Sequence, residues 1–267
     1  MLILPNAKIN IGLKITGKRP DGFHSLETVF YPLYGLMDAL EFIPSSELSF
    51  HTSGFFVEGV KDDNLVIKAY RLLARNYSLP PLAIHLHKAI PTGAGLGGGS
   101  ADASFMLRAL DSYFRLQIPT VQLMQLSSEL GSDCPFFITN QPALATGCGE
   151  ILEPILTDLS GYSILVVKPP FGVSTQEAYA GVVPALPVEN LKSLLQLPVN
   201  KWKDKITNDF EPTVFRNYPE LAVIKQKLYD AGAVYASLSG SGSAMYGIFK
   251  EIPLHIEFPL NYYLFRM

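Results

Sequence analysis

The chain has 267 residues and a mass of 29.4 kDa, beyond a typical single domain, so one large or two modest domains with a sizeable buried core are expected. Hydrophobic residues at 48% against 17% charged, with thirteen Tyr and sixteen Phe, exclude a disordered chain. The net charge of −3 gives no basic surplus to draw nucleic acid or anionic lipid, and no apolar run reaches the ~18 residues of a membrane span, so any phosphate must be gripped locally. Two cysteines, Cys134 and Cys148, are too few for a disulfide framework, and MLILPNAKIN is no charged-then-apolar leader; a reduced, cytoplasmic protein is expected.

From Ala7 to Ile15 the residues alternate, with Ile9, Ile11, Leu13 and Ile15 on one face and Lys8, Asn10 and Lys14 on the other. This predicts a half-buried strand with a polar second face. RPDG (Arg19 to Gly22) reads as a turn, and ETVFYPL and DALEFI as strands. Asp63 or Asn64 can cap a helix through LVIKAYRLLARNY, whose apolar positions recur at three and four. A strand is predicted from Leu82 to Ile90, then the glycine run PTGAGLGGGSADA (Pro91 to Ala103), then a helix from Ser100 to Leu116 with Ser100 and Asp102 at its start. A further helix ends near Gly131, ahead of GSDCPFF. Later come a strand from Tyr162 to Lys168, a helix through LAVIKQKLYDAG with Gly232 as its C′ residue, and a strand pair around the SGSGS turn.

The order strand, glycine loop, helix start carries the chemistry. Glycines admit positive φ and let a ligand reach main-chain N–H groups, and a helix start adds orphan donors and the positive end of the dipole. Together these predict an anion cradle, most often for phosphate. Three phosphate-loop patterns do not account for it. GLKITGKR (Gly12 to Arg19) imitates a Walker loop, but Arg19 stands where a magnesium-binding hydroxyl belongs and no helix follows. Gly93, Gly95 and Gly98 spell G-x-G-x-x-G without the acid that a dinucleotide site wants on the next strand; Asp111 falls inside the helix. A protein-kinase loop needs HRD and DFG partners, which the chain lacks.

PTGAGLGGGSADA resembles the phosphate loop of the GHMP kinase superfamily, PNAKINIGL (Pro5 to Leu13) its first motif and SLSGSGSAMYG (Ser237 to Gly247) its third. AKIN followed by RPDGFHSLETVF and GSDCPFF is similar to one branch in particular, whose acceptor is a cytidine-diphosphate-linked methylerythritol. The resemblance runs from Pro5 to about Phe249. It implies a two-domain α+β fold, with a ribosomal-S5-like domain over 1–158 and a ferredoxin-like domain over 159–267. It also implies phosphorylation of that acceptor's 2-hydroxyl by ATP with Mg²⁺, in the non-mevalonate route to isoprenoid precursors. Another GHMP small-molecule kinase, or a non-catalytic nucleotide sensor on the same fold, is the alternative. A small-molecule partner is expected, with no nucleic acid or membrane, in a monomer or weak homodimer.

Residue by residue, the resemblance makes Asp133 the general base and Lys8 its catalytic partner, a pairing that phosphoryl transfer to an alcohol can use. On the acceptor side Asn10, Phe23, His24, Thr175 and Tyr179 match, the aromatics serving to stack on a pyrimidine and His24 to read its edge. Tyr is common in the family at the position of Phe23; stacking survives the change and a hydroxyl contact is lost. On the nucleotide side Asn64 and Lys88 match positions flanking the adenine. The phosphates fall to Pro91, Thr92, Gly93, Ala94, Gly95, Leu96, Gly97, Gly98, Gly99, Ser100 and Ala101, with Gly240 and Ser241 closing over them. Three duties are open to Ser100: capping the helix, touching a phosphate or approaching Mg²⁺. Asn208 and Asp209, in ITNDFEP, take a structural role first, and no protein-held metal is expected. The aromatic end after Lys250 is shorter than the family's usual one.

Overall fold

A computed structural model describes residues 1–56 and 60–267. In chain order its strands and helices begin with β1 (Leu2–Ile3), β2 (Asn6–Lys18), β3 (His24–Met37), β4 (Ala39–Pro44), β5 (Ser49–Gly54), α1 (Leu65–Ala74) and β6 (Leu82–Lys88). There follow α2 (Gly98–Phe114), α3 (Thr120–Ser128), α4 (Cys134–Thr139), β7 (Ala143–Thr146), β8 (Ile151–Pro154) and β9 (Ser163–Lys168). The last are α5 (Thr175–Ala180), α6 (Leu191–Leu194), α7 (Glu211–Asn217), α8 (Pro219–Asp230), β10 (Tyr235–Leu238), β11 (Met245–Phe249) and β12 (Tyr263–Arg266).

The chain makes two compact units. One comprises Met1–Lys8, Pro32–Thr92 and Gly97–Gln141; the other comprises Ile9–Tyr31, Gly93–Leu96 and Pro142–Met267. Where the sequence predicts one boundary near Asp158, these units are built from alternating segments, because β2 and β3 each run from one unit into the other.

In the first unit a sheet of order β1-β4-β6-β5 pairs antiparallel except for β5 with β6, which is parallel. Strand β6 alternates as predicted, with Leu82, Ile84 and Leu86 buried and His85 and His87 exposed. The buried face packs on Val66, Tyr70 and Leu73 of α1 and Met106, Leu107 and Leu110 of α2. Each such side chain contributes about 1.5–3 kcal/mol by leaving water. Asn64 is the cap of α1, its side chain accepting from the Val66 N–H at 2.9 Å.

In the second unit β10-β11-β9-β12 is fully antiparallel, and the aromatic end of the chain supplies the edge strand β12. Leu221, Ile224 and Leu228 of α8 cover its inner face beside Leu165, Val167 and Met245. Gly232 follows α8 at φ 94, the left-handed C′ geometry that glycine tolerates best. The third sheet runs β2-β3-β7-β8. One expectation is corrected here: the second face of β2 is polar, but the strand is not half-buried over its first part, since Asn6, Lys8 and Asn10 are buried along with the isoleucines. Polar groups buried on a strand need partners, and theirs define much of the site.

Candidate active site

Gly93, Gly95 and Gly97 all have positive φ (60°, 73° and 71°), and alternate with Ala94 and Leu96, which do not. Such alternation turns successive N–H groups towards one concave side. Helix α2 starts at Gly98, two residues before the predicted start, because left-handed Gly97 is its N-cap. Ser100 therefore lies inside the first turn and is not the cap. A Cβ on Gly97 would come within 3.1 Å of Lys8 Cγ and Cε and 3.0 Å of Phe137 Cζ. The loop is thus glycine there because the Lys8 side chain passes against its backbone.

Lys8 is 3% exposed, and its ammonium lies 3.2 Å from Asp133 Oδ2. Asp133 occupies the N-cap position of α4, its side chain 30% exposed. The pair thus joins a buried amine to a carboxylate that solutes can reach. Next to it, burial pushes the Cys134 thiol up to about 11, hydrogen bonding with Ser100 and Ser104 offsetting only part of this. Cys134 is accordingly a packing residue and no nucleophile.

A cavity of about 570 Å³ opens in the same unit, lined by Asn64, Leu65, Lys88, Thr92, Gly99 and Asp102 among others. Asn64 and Lys88 thus reach one cavity, but the Lys88 ammonium is committed. It ion-pairs with Asp38 and with Asp102 Oδ2, the latter at 2.7 Å, and all three residues are at most 3% exposed. Asp38 also accepts from the Ala89 and Ile90 N–H groups at 2.6 and 2.8 Å, which clasps the strand end feeding the loop. Desolvation holds Asp102 well above the ordinary carboxylate range, with Lys88 opposing and Asp38 reinforcing the shift. Burial lowers the Lys88 ammonium, yet the two carboxylates outweigh it and leave its affinity for protons raised.

The second unit holds the remaining predicted residues. Asn10 is 3% exposed; its side chain donates to Thr28 Oγ1 at 3.1 Å and its N–H to Ser239 Oγ at 3.3 Å. Ser239 Oγ donates in turn to the Gly95 carbonyl at 2.8 Å, and the Ala244 N–H donates to the Ala94 carbonyl at 3.0 Å. The turn between β10 and β11, carrying Gly240 and Ser241, is thereby tied to the glycine loop. Asn208 braces that turn by donating to the Leu238 and Gly240 carbonyls at 3.0 and 2.8 Å. The His24 and Tyr179 rings stack at 4.7 Å, Tyr179 meets Phe210 edge-on, and Thr175 Oγ1 lies 3.2 Å from Ser241 Oγ. Phe23 stands apart from this group at 64% exposure, in the turn after Asp21. Gly12, from the Walker-like string, lies within β2 against Leu191 and Ile206, so that string is strand and core.

Sequence reasoning places Asp102 only at a helix start, and it gives no part to Asp38 or to Asn6 and Asn140, whose side chains exchange hydrogen bonds. Asp38 and Asp102 are separated from Lys88 by 50 and 14 residues, and only the fold brings them to it. The one available signal was an acid flanked by apolar strands at MDALEF.

Residues 64–141 match the family model described as the GHMP kinases N terminal domain, and residues 188–253 the GHMP kinases C terminal model. A 4-diphosphocytidyl-2-C-methyl-D-erythritol kinase of Bacteroides thetaiotaomicron is 52% identical over 254 residues, 94% of this chain and 92% of the relative. One of Parabacteroides distasonis is 49% identical over 257 residues, 96% of this chain and 94% of the relative. A crystal structure titled 4-(cytidine 5'-diphospho)-2C-methyl-D-erythritol kinase superposes with a TM-score of 0.76 at 34% identity, covering 93% of this chain and 90% of that one. The glycine loop at the start of α2, the serine–glycine turn after β10 and these near-full-length matches agree: the chain belongs to the 4-diphosphocytidyl-2-C-methyl-D-erythritol kinase family of the GHMP kinases.

Proposed function

We propose that the chain transfers the γ-phosphoryl group of ATP to the 2-hydroxyl of 4-diphosphocytidyl-2-C-methyl-D-erythritol, and that Lys8 and Asp133 perform the transfer. The observation that carries this reading is the Lys8–Asp133 pair at 3.2 Å, with the Lys8 stem against Gly97 at the head of α2. A carboxylate beside an amine is an ordinary ion pair on a surface. Here the amine is buried and lies against the phosphate loop, where a positive charge can act on phosphoryl oxygens.

In this reading the acceptor hydroxyl gives its proton to Asp133 as its oxygen attacks the γ-phosphorus, the bond from that phosphorus to the β–γ bridging oxygen breaks, and ADP leaves with the electron pair. Lys8 orients the oxygen and offsets charge on the moving group. The loop amides and the start of α2 hold the phosphates, and Asn64 borders the cavity for the base. Mg²⁺, which prefers phosphate oxygens and water, would travel on ATP, with Ser100 and Asp133 as the nearby hard oxygen donors. The stacked His24 and Tyr179 supply aromatic surface for the cytosine, and Asn10 and Thr175 supply polar groups for the rest of the acceptor.

Asp133→Asn is expected to lower kcat by roughly 10²–10⁴-fold, the usual worth of a general base, while ATP binding measured by calorimetry persists. Near-normal turnover in that variant would remove the base from the mechanism. A coupled ADP-release assay with the cytidylyl acceptor beside homoserine, mevalonate and galactose tests the substrate. Preference for any of the last three overturns it.

A further inference from the structure

The two residues assigned to chemistry are far apart in sequence, one on strand β2 and one ahead of α4, and a second link joins the same two elements. Asn6 and Asn140 exchange side-chain hydrogen bonds: Asn6 Nδ2 donates to Asn140 Oδ1 at 3.2 Å, and Asn140 Nδ2 donates to Asn6 Oδ1 at 2.7 Å. Asn6 is 2% exposed and also donates to the Ala7 carbonyl at 2.9 Å, which restricts its rotamer. Asn6 and Lys8 are two residues apart on one strand, so they share a face. Asp133 and Asn140 are the N-cap and C-cap of the six-residue helix α4. That helix is anchored by Cys134, Phe136, Phe137 and Ile138, all buried. The strand and helix are therefore joined at both ends of the helix, by the ion pair at one and the amide pair at the other. One link sets a distance; two set the rotation of the helix about it as well.

We propose that Asn6 and Asn140 are positioning residues for phosphoryl transfer, acting as an amide clasp that fixes Asp133 against Lys8. The proposal rests on the reading of Lys8 and Asp133 as the catalytic pair. Asn140 suits the task because it is held on both sides. Its backbone is left-handed at φ 53, its N–H donates to the Phe136 carbonyl at 2.7 Å, and its own carbonyl accepts from the Tyr34 hydroxyl at 2.9 Å. The side chain that reaches Asn6 thus leaves a fixed backbone. An asparagine pair is also neutral, so it orients the strand without adding a charge that would compete for the Lys8 ammonium.

The test uses the full-length enzyme with ATP and the cytidylyl acceptor, and two variants chosen to spare the fold. Asn140→Gly removes the amide and keeps a residue at ease in the left-handed region, and Asn6→Ala removes the other half. Each is expected to lower kcat by up to about 100-fold, as small misplacements of reacting groups do, with KM for both substrates within about threefold of wild type. Because the two act through one clasp, the double variant falls no further than the weaker single variant. In an Asp133→Asn background, Asn140→Gly costs nothing more. Unchanged kcat in both single variants, multiplicative losses in the double, or a loss carried by KM overturns the clasp. A dead Asp133→Asn with an unaffected Asn6→Ala rejects the clasp alone, whereas an active Asp133→Asn rejects the catalytic pair and the clasp with it.

Discussion

Lys88 looks in sequence like an ordinary strand lysine near a nucleotide, and in the fold it is the centre of a buried cluster with two acids and one base. Asp38 has Lys88 and two backbone N–H groups, whereas Asp102 Oδ1 is buried without a hydrogen-bond partner among the described residues. Burial raises the affinity of Asp102 for a proton, with Lys88 opposing the shift and Asp38 reinforcing it. An acid that holds its proton more tightly folded than unfolded makes the native state take up protons. Stability then falls as pH rises above the unfolded carboxylate value of about 3.9. Asp102→Asn is expected to lack this slope, so its Tm should gain on wild type as pH rises above about 4, until Asp102 is ionised in the folded state as well; parallel curves would count against the upward displacement. Lys88→Met strands both acids and should destabilise the protein by about 3–5 kcal/mol in denaturant titrations. Cys134, held near 11, should resist alkylation at pH 8 in the native state and react on unfolding, which mass spectrometry of the labelled chain can follow.

Among the elements, the glycine loop allows a graded experiment. Nothing lies within 4 Å of a Cβ placed on Gly93, so Gly93→Ala meets only the left-handed backbone penalty of about 1–2 kcal/mol. At Gly97 the new Cβ presses on Lys8 and Phe137, and at Gly95 it runs into the Ser239 carbonyl. The expected order of lost kcat/KM is Gly93→Ala least, then Gly97→Ala, then Gly95→Ala. Equal losses at all three would mean that backbone strain alone sets the effect. The strand, loop and helix of this region were legible because alternation, glycine and helical spacing are local signals. The helix start was misjudged by two residues because Ser100 has the chemistry of a cap, while the left-handed turn at Gly97 settles where helical backbone begins. The expectation of a half-buried β2 fails for a similar reason: alternation gives the side on which Lys8 and Asn10 lie, but says nothing about what covers it.

For the whole molecule, the chain passes from one unit to the other after Lys8, Tyr31, Thr92, Leu96 and Gln141. Trp202, the single tryptophan, is 1% exposed in the second unit, while the cavity bordered by Asn64 belongs to the first. With so many covalent passages, cooperative unfolding is expected. ATP at about 100 times its Kd, adding roughly 2.7 kcal/mol, should therefore raise the midpoint reported by Trp202 fluorescence as well as that reported by circular dichroism. A fluorescence midpoint indifferent to ATP would show the units melting separately. The sequence by itself determined the order of most elements, the backbone freedom of the glycine loop and the kinase family, because these reside in short contiguous motifs such as PTGAGLGGGSADA and SLSGSGSAMYG. Only the tertiary structure decided that Lys8 meets Asp133, that Lys88 is taken by Asp38 and Asp102, and that Asn6 grips Asn140. Those partners lie up to 134 residues apart, and a buried polar group's choice among distant candidates follows from packing, which no local pattern encodes.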